Sequence, residues 1–251
     1  MFDVHCHIDF EDFDNDRNKV IERAFNENVK IITCAFGVES IEKTKKILNI
    51  NEFNKKIFVS YGISPLEYDN EKIKKFIEIL MKDNEIIGVG EVGLDYYWEK
   101  DVEKRKIQIE NFKNFIEISE KIRKPLIIHS RNAEKDVIEI LKSYNVKALL
   151  HCFSGSLSLA REAIDFGCLI SIPTSVYYSK SKMKLVENLE IENLVTETDA
   201  PFLSPFPKEN KRNEPLNVKF SIKKISELKN LDYDYVDEII EKNVKKFFGI
   251  K

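Results

Sequence analysis

Short apolar segments alternate with amphipathic segments along the whole chain. The apolar segments are rich in β-branched residues, as strands that are covered on both faces should be. In order, they are MFDVHCHI, KIITCAF, IFVSYGI, EIIGVGEVGL, PLIIHSR, ALLHCF, CLISIP and LVTETDAPF. This pattern predicts eight buried strands in succession.

The segments between these strands have helical features. Residues 17–28 place apolar side chains at helical spacing, and the longest candidate helix runs from Asp101 to Lys124 and ends before Pro125. Another helix is predicted between the capping residue Ser156 and Gly167, and a last one covers about Asp234 to Phe248. Each predicted strand is therefore followed by a helical segment or a loop that leads to the next strand.

Eight strand–helix units in 251 residues match the size and order of a (β/α)8 TIM barrel. No linker rich in Pro, Gly or Ser divides the chain, so we expect one domain over residues 1–251. A doubly wound open sheet is the competing fold. We favour the barrel because it would bring side chains from many strands together at its carboxyl-terminal end.

Composition excludes several classes of protein. Hydrophobic residues make up 43% of the chain, which is too many for a disordered protein, and the net charge is only −3. Binding of a polyanion would therefore need a local basic patch or metal ions. No apolar run approaches the roughly 20 residues that span a membrane, no signal peptide is visible, and the four cysteines form no framework. We expect a cytoplasmic protein that does not bind membranes.

The four histidines all lie at the ends of predicted strands. His5 and His7 are one residue apart, so both side chains point to the same face with Cα atoms about 6.6 Å apart, close enough to share an ion. Cys6 then points towards the helices as a small buried residue. A lone histidine on a strand is more often a core residue, but two converging imidazoles need partners.

Later strands supply such partners. Glu91 interrupts an apolar strand, where a carboxylate is costly unless it is paired or bound to a metal. His129 and His151 follow the next two strands, and Glu197 and Asp199 share a face of the last extended segment. Nitrogen and oxygen donors of this kind suit Zn²⁺, Mn²⁺ or similar ions, and two ions bridged by a carboxylate would acidify a shared water. Asp199 could accept the proton of that water.

Five motifs carry a family resemblance: DVHCHID, GEVGLDYYW, IIHSRNA, LLHCFSG and TETDAPFLSP. Together they resemble the TatD-type metal-dependent deoxyribonucleases of the amidohydrolase superfamily, in family order and over nearly the whole chain. The resemblance implies that DNA, single-stranded or at its ends, is the substrate. It also implies two divalent ions, Mg²⁺, Mn²⁺ or Zn²⁺, as cofactors. No obligate protein partner is evident.

The resemblance further implies a role for each ligand. The ligands fall into two sets joined by a bridging carboxylate: His5, His7 and Asp199 for one ion, His129 and His151 for the other, and Glu91 between them. Glu91 and Asp199 are the expected catalytic residues, with Asp199 as the proton acceptor. Asp3 matches the leading aspartate of the family, and we expect it to support the ligands through hydrogen bonds.

The chain departs from the family pattern at positions where substrate contacts are expected. Ser64 stands where the family often has a histidine, Glu209 and Asn210 replace an arginine–glycine pair, and Asn132 replaces a common aspartate. None of these is an expected metal ligand. The candidate substrate-binding residues are Arg131, Ser64, Lys211 and Arg212. Because a glutamate repels a polyanion, Lys208, Lys211 or Arg212 would have to outweigh Glu209.

Two features next to the ligands have alternative interpretations. Arg131 follows His129 by two residues, and a phosphate contact and a salt bridge at a helix start are equally supported. Tyr96, Tyr97 and Trp98 extend beyond the strand of Glu91 and could stack on bases. They could equally cover the core, which is the favoured interpretation for at least one of them.

Three functions remain open from the residues alone. The first is a two-metal phosphodiesterase that acts on DNA. The second is an amidohydrolase or lactonase that cleaves a small C–N or C–O bond, although such relatives often bridge their ions with a carbamylated lysine instead of a carboxylate such as Glu91. The third is a non-enzymatic barrel that serves only as a nucleic-acid-binding or assembly module, and the complete set of candidate ligands counts against it.

Overall fold

The computed structural model describes residues 1–49, 57–209 and 211–251. Eight parallel strands pair in sequential order, which confirms the predicted (β/α)8 architecture. The strands are β1 Phe2–Cys6, β2 Lys30–Phe36, β3 Ile57–Gly62, β4 Gly88–Asp95, β5 Leu126–Arg131, β6 Ala148–Leu150, β7 Leu169–Pro173 and β8 Leu194–Glu197. Nearly all of their residues are buried, because the helices cover the outside of the barrel and side chains fill its inside.

Helices follow the strands and pack around them. They are α1 Arg17–Asn26, α2 Val38–Asn49, α3 Asn70–Lys82, α4 Val102–Ile122, α5 Glu134–Leu141, α6 Leu157–Asp165, α7 Lys180–Asn188, α8 Val218–Lys229 and α9 Tyr233–Phe248. The predicted helices are present, with ends that differ by no more than two residues.

Capping side chains set the helix starts. The carboxylate of Asp101 accepts hydrogen bonds from Glu103 N and Lys104 N, so α4 begins one residue later than the sequence pattern predicted. Ser156 caps α6 in the same way, and Gly167 follows that helix with a φ of 94°, as expected of a residue just past a helix end.

The space between the barrel and its helices is apolar. Cys6 is fully buried there, with Phe13, Val20 and Ile21 in the same cluster. It therefore points away from the inside of the barrel, as the alternation along β1 predicted. In the part of the chain that the structure describes, no helix has the length and apolar character needed to cross a bilayer.

The first and last strands are joined by a buried carboxylate. Asp3 on β1 accepts hydrogen bonds from Thr198 N at 2.8 Å and from Thr198 Oγ1 at 2.6 Å, just beyond β8. Burial raises the pKa of Asp3 well above its usual value, although the bonds from Thr198 oppose this rise. Asp199 N also donates to His5 O at 2.9 Å. This β1–β8 seam brings His5 and Asp199 together.

We expect Thr198→Val to lower the free energy of unfolding by about 1–3 kcal/mol, because it leaves a buried oxygen of Asp3 without its donor. Urea unfolding of the metal-free protein measures this change. Thr44→Val is the matched control, since the buried hydroxyl of Thr44 has no partner among the described residues and its loss should cost nothing. Equal destabilisation by both substitutions would contradict the role of the seam.

Candidate metal centre

Glu91 lies on β4 at the centre of the carboxyl-terminal end of the barrel. Two glycines allow β4 to approach β5 closely on either side of it. A Cβ on Gly90 would lie 2.2 Å from Ile127 O, and one on Gly93 would lie 2.0 Å from His129 O. Both glycines also have φ angles near 150°, which other residues rarely adopt. The backbone thus places the Glu91 carboxylate directly against His129.

One oxygen of Glu91 faces the residues of the β1–β8 seam. Its Oε2 lies 3.2 Å from His5 Nε2 and 3.7 Å from His7 Nε2. The two Nε2 atoms are 3.3 Å apart. Asp199 Oδ1 lies 3.9 Å from His5 Nε2 and 3.6 Å from His7 Nε2, so these donors surround a common point.

The other oxygen of Glu91 faces the residues of β5 and β6. Its Oε1 lies 2.6 Å from His129 Nδ1 and 3.9 Å from His151 Nε2. The two carboxylate oxygens are therefore divided between two groups of donors. The two ligand sets that the family resemblance implies are divided in the same way, and their binding of two ions stays a prediction.

The donor set fits divalent metal ions. Three groups have their donor atoms within 4.8 Å of one another: His5, His151 and Asp199; His5, His7 and Glu91; and Glu91, His129 and His151. Tetrahedral ligands of Zn²⁺, at bond lengths of 2.0–2.1 Å, are spaced about 3.4 Å apart, which is close to several of the observed separations. The side chains that pair with Glu91 among the described residues are histidines, with no lysine or arginine. The negative charge of Glu91 must therefore be balanced by protons on these imidazoles or by metal ions.

The ionisation states reflect this shortage of cations. Burial alone would raise the pKa of Glu91, but the charge of His151 and hydrogen bonds from His129 and His5 hold it well below its usual value. Burial alone would lower the pKa of His151, yet Glu197 and Glu91 raise it to about 10. Hydrogen bonds to Asp95 and Glu91 likewise outweigh burial at His129 and raise its pKa to about 9. In the metal-free protein, both imidazoles are therefore protonated on both nitrogens and positively charged at neutral pH.

Two carboxylates orient these imidazoles from behind. Asp95 Oδ2 lies 2.9 Å from His129 Nε2, and Glu197 Oε2 lies 2.9 Å from His151 Nδ1. Such contacts fix the ring so that its other nitrogen faces the centre. By contrast, Nδ1 of His5 and of His7 is buried without a partner among the described residues.

Sequence reasoning did not identify the roles of Asp95 and Glu197. A signal was present for Asp95, which lies four residues after Glu91 and therefore on the same face of β4. Glu197 was recognised as sharing a face with Asp199, but its pairing with His151 depends on contact between two distant strands.

The ends of the strands differ from the prediction. His7, His151 and Asp199 lie just beyond β1, β6 and β8 rather than within them. Asp199 has a φ of 56°, so the expectation that it continues an extended segment is wrong. The left-handed turn there allows Asp199 N to bond to His5 O across the seam.

Three of the candidate substrate-binding residues make local contacts. Ser64 Oγ accepts a hydrogen bond from Leu66 N in the turn after β3. Lys211 pairs with Glu209. In the described residues, none of these side chains contacts a candidate ligand, and Asn210 lies outside the described residues.

Arg212 is the third of these residues. Its guanidinium makes two hydrogen bonds of 2.9 Å to Asp16 and lies over the ring of Phe13. Arg212 therefore ties its loop to the segment that follows β1. Its role in substrate binding stays a prediction.

The fourth candidate, Arg131, forms no salt bridge among the described residues, and its contact with a phosphate stays a prediction. Its guanidinium stacks on Tyr97 at 4.0 Å from the ring centroid and lies 5.7 Å from that of Trp98. Tyr97 and Trp98 are exposed, whereas Tyr96 is half-buried against the core and donates a hydrogen bond to Asp136. One of the three aromatic residues therefore packs on the core, as predicted.

Comparison with known proteins identifies the family of this chain. The family model described as TatD related DNase matches residues 2–249. The chain belongs to the TatD-related DNase family. The family resemblance of the five motifs is thus confirmed, as is the predicted class of metal-dependent hydrolase.

Individual proteins are similar to this chain over nearly their whole length. An uncharacterized metal-dependent hydrolase of Methanocaldococcus jannaschii is 39% identical and covers 98% of this chain and 96% of its own length. The deoxyribonuclease TATDN3 of Homo sapiens is 30% identical, over 99% of this chain and 94% of its own length. The crystal structure of YJJV, a TatD homolog from Escherichia coli, is 22% identical with a TM-score of 0.89, and the match covers 100% of this chain and 98% of that one. This last likeness shows the shared fold.

We expect Zn²⁺ binding at pH 7 to release at least two protons per chain, because His129 and His151 are protonated without metal and each must lose a proton to bind it. Both pKa values are raised above 7, so the apparent affinity should strengthen from pH 7 to pH 9 and level off above about pH 10. Calorimetric titrations in buffers of different ionisation enthalpy count the protons. Binding without proton release would show that both imidazoles are already neutral.

We also expect Asp95→Asn and Glu197→Gln each to weaken metal binding by about 10- to 100-fold, because each imidazole ligand loses the charged carboxylate that orients its ring. Competition with a chelating dye measures the affinity. Glu99→Gln is the matched control, since Glu99 accepts a hydrogen bond from Tyr68 and touches no candidate ligand. An equal loss in the control would mean that the effect is not specific to the imidazole partners.

Proposed function

We propose that this protein is a metal-dependent deoxyribonuclease that holds two divalent ions and hydrolyses phosphodiester bonds of single-stranded DNA or DNA ends. The observation that carries the proposal is the division of the Glu91 carboxylate between two groups of donors. The ligands would be His5, His7 and Asp199 for one ion, and His129 and His151 for the other, with Glu91 shared. The family name and the human relative support DNA as the substrate.

The donor chemistry favours particular ions. Four of the six side chains are imidazoles, which suit Zn²⁺ and other transition ions better than Mg²⁺. The carboxylates of Glu91 and Asp199 also suit Mn²⁺. We therefore favour Zn²⁺ or Mn²⁺ over Mg²⁺ as the resident ions.

Divalent ions bound here would acidify a water and neutralise the charge of a phosphodiester. Asp199 is suited to accept the proton of that water. Burial alone would raise the pKa of Asp199, but the hydrogen bond from His7 and the charge of His151 keep it below its usual value, so the carboxylate is ionised at neutral pH. It could then deliver the proton to the departing oxygen of the DNA strand.

Arg131 supplies a positive charge for the substrate. It lies at the end of β5, two residues beyond His129, and its side chain is exposed. With a net charge of −3, the whole protein does not attract DNA, so a local cation beside the centre matters more. Ser64, Lys211 and Arg212 are further candidate contacts, although Arg212 would have to leave Asp16 to bind a phosphate.

The alternatives are less well supported. In the described residues, Glu91 lies between the two groups of donors, and no lysine pairs with it. This disfavours an amidohydrolase or lactonase whose ions are bridged by a carbamylated lysine. A barrel that only binds nucleic acid would have no need for six convergent donors. A cytoplasmic location accords with four cysteines that are all free.

We expect Glu91→Gln to lower the rate of single-stranded DNA hydrolysis by about 10²–10³-fold or more and to reduce the bound metal, because the shared carboxylate is lost. Asp199→Asn should lower kcat while retaining most of the metal, because the amide oxygen of asparagine can still bind an ion but cannot accept a proton. Release of nucleotides from a labelled oligonucleotide with Zn²⁺, Mn²⁺ or Mg²⁺ measures the rate, and elemental analysis measures the metal.

Glu103→Gln is the matched control, because Glu103 is exposed and pairs with Lys106 on the outer helix α4. It should behave as the wild type. Bound metal without hydrolysis of any oligonucleotide by the wild type would reject DNA as the substrate and favour a small ester or amide.

A further inference from the structure

Two groups of aromatic side chains flank the metal centre. We define the Trp98 platform as Tyr97, Trp98 and Arg131, and the Phe202 platform as Phe10 and Phe202. We propose that each platform stacks one base of a single-stranded nucleic acid, on either side of the phosphate that reaches the centre. This inference rests on the proposed function and adds base-binding subsites to it.

The Trp98 platform exposes a large aromatic surface. The side chains of Tyr97 and Trp98 are 43% and 64% exposed, and their rings meet edge to face at 4.9 Å. Arg131 lies over both rings, and stacking on them is the contact that its guanidinium makes among the described residues. An arginine held over aromatic rings remains free to donate hydrogen bonds to a phosphate.

A single carboxylate connects this platform to the centre. Asp95 Oδ1 accepts hydrogen bonds from Tyr97 N at 2.9 Å and Trp98 N at 2.8 Å, while its Oδ2 pairs with His129 Nε2. The turn that carries the two rings is therefore fixed relative to a candidate metal ligand. This linkage distinguishes Tyr97 and Trp98 from aromatic residues that are exposed by chance.

The Phe202 platform is connected to the centre in a similar way. Phe202 is 51% exposed, and its ring centroid lies 6.1 Å from that of the half-buried Phe10. Phe10 stacks on His7 at 4.5 Å. Phe10 N donates to His7 O at 3.1 Å, and Phe202 N donates to Asp199 O at 2.9 Å. Phe10 and Phe202 thus each form a backbone hydrogen bond to a candidate ligand.

The two platforms lie on opposite sides of the barrel. Tyr97 and Trp98 follow β4 and Arg131 ends β5, whereas Phe10 follows β1 and Phe202 follows β8. In a barrel of eight strands in sequential order, β4 and β5 lie across from β8 and β1. A strand that passes from one platform to the other crosses the Glu91 carboxylate.

Nucleic acid bases are the ligand that best matches this arrangement. Aromatic side chains stack on any base, and the neighbouring Arg131 complements the phosphates between bases. Two separate platforms across a polar centre also differ from the continuous apolar face that a protein partner would bury. Bases within a duplex are stacked on each other, so the platforms can take only unpaired ones.

Trp98 allows a direct test of binding, because it is the only tryptophan in the chain. We expect oligothymidylate to change the tryptophan fluorescence of the Zn²⁺-loaded Asp199→Asn protein, and an oligonucleotide of the same length with abasic sites to change it far less. Fluorescence anisotropy of a labelled oligonucleotide follows binding independently. Binding without a change in tryptophan fluorescence, or no binding, would overturn the Trp98 platform.

Kinetics test both platforms. Trp98→Ala and Phe202→Ala should each raise KM for oligothymidylate about tenfold with little change in kcat, and each should reduce the preference for oligothymidylate over the abasic oligonucleotide by about the same factor. The double variant should show the product of the two effects, because the sites are far apart. Tyr235→Ala is the control, since Tyr235 is similarly exposed but lies on α9, away from the ligands.

The outcomes separate this inference from the proposed function. Hydrolysis of oligothymidylate that is insensitive to Trp98→Ala and Phe202→Ala would overturn the platforms and leave the deoxyribonuclease intact. Absence of hydrolysis by the wild type would reject the proposed function, while the fluorescence titration still decides whether a base stacks on Trp98.

Discussion

A buried carboxylate that lacks a fixed cation is the constraint on which the rest of the centre depends. Glu91 lies inside the barrel, and the side chains that pair with it in the described residues are imidazoles. A buried charge is costly unless it is compensated, so the imidazoles must either hold protons or share a metal ion with it. In the metal-free protein the imidazoles hold protons, as the raised pKa values of His129 and His151 indicate. Divalent ions would replace those protons by stronger charges at the same place.

Closure of the barrel and assembly of the centre are the same event in this fold. The seam between β1 and β8 is joined by Asp3, Thr198 and the bond from Asp199 N to His5 O. The residues on either side of the seam are themselves candidate ligands. Folding therefore brings the first and last ligand segments together, and the centre cannot form in a barrel that stays open between these strands.

Direct contacts connect the candidate ligands to both aromatic platforms. Asp95 orients His129 through one oxygen and holds the turn of Tyr97 and Trp98 through the other. On the opposite side, Phe10 stacks on His7. A substrate that stacks on these rings would therefore be held at a fixed distance from the ions, which is a requirement for precise attack on one phosphate.

The sequence by itself determined the order of strands and helices, the buried position of Cys6 and the types of the candidate ligands. These features depend on local alternation along a strand, which the residues display directly. Only the tertiary structure decided that Asp95 supports His129, that Glu197 supports His151, and that Asp199 adopts a left-handed turn. Each of these depends on contacts between segments distant in sequence, and the distance between strands and their register are set by packing of the whole barrel. Local alternation places Asp95 on the same face as Glu91, but it carries no information about which side chain of another strand Asp95 contacts.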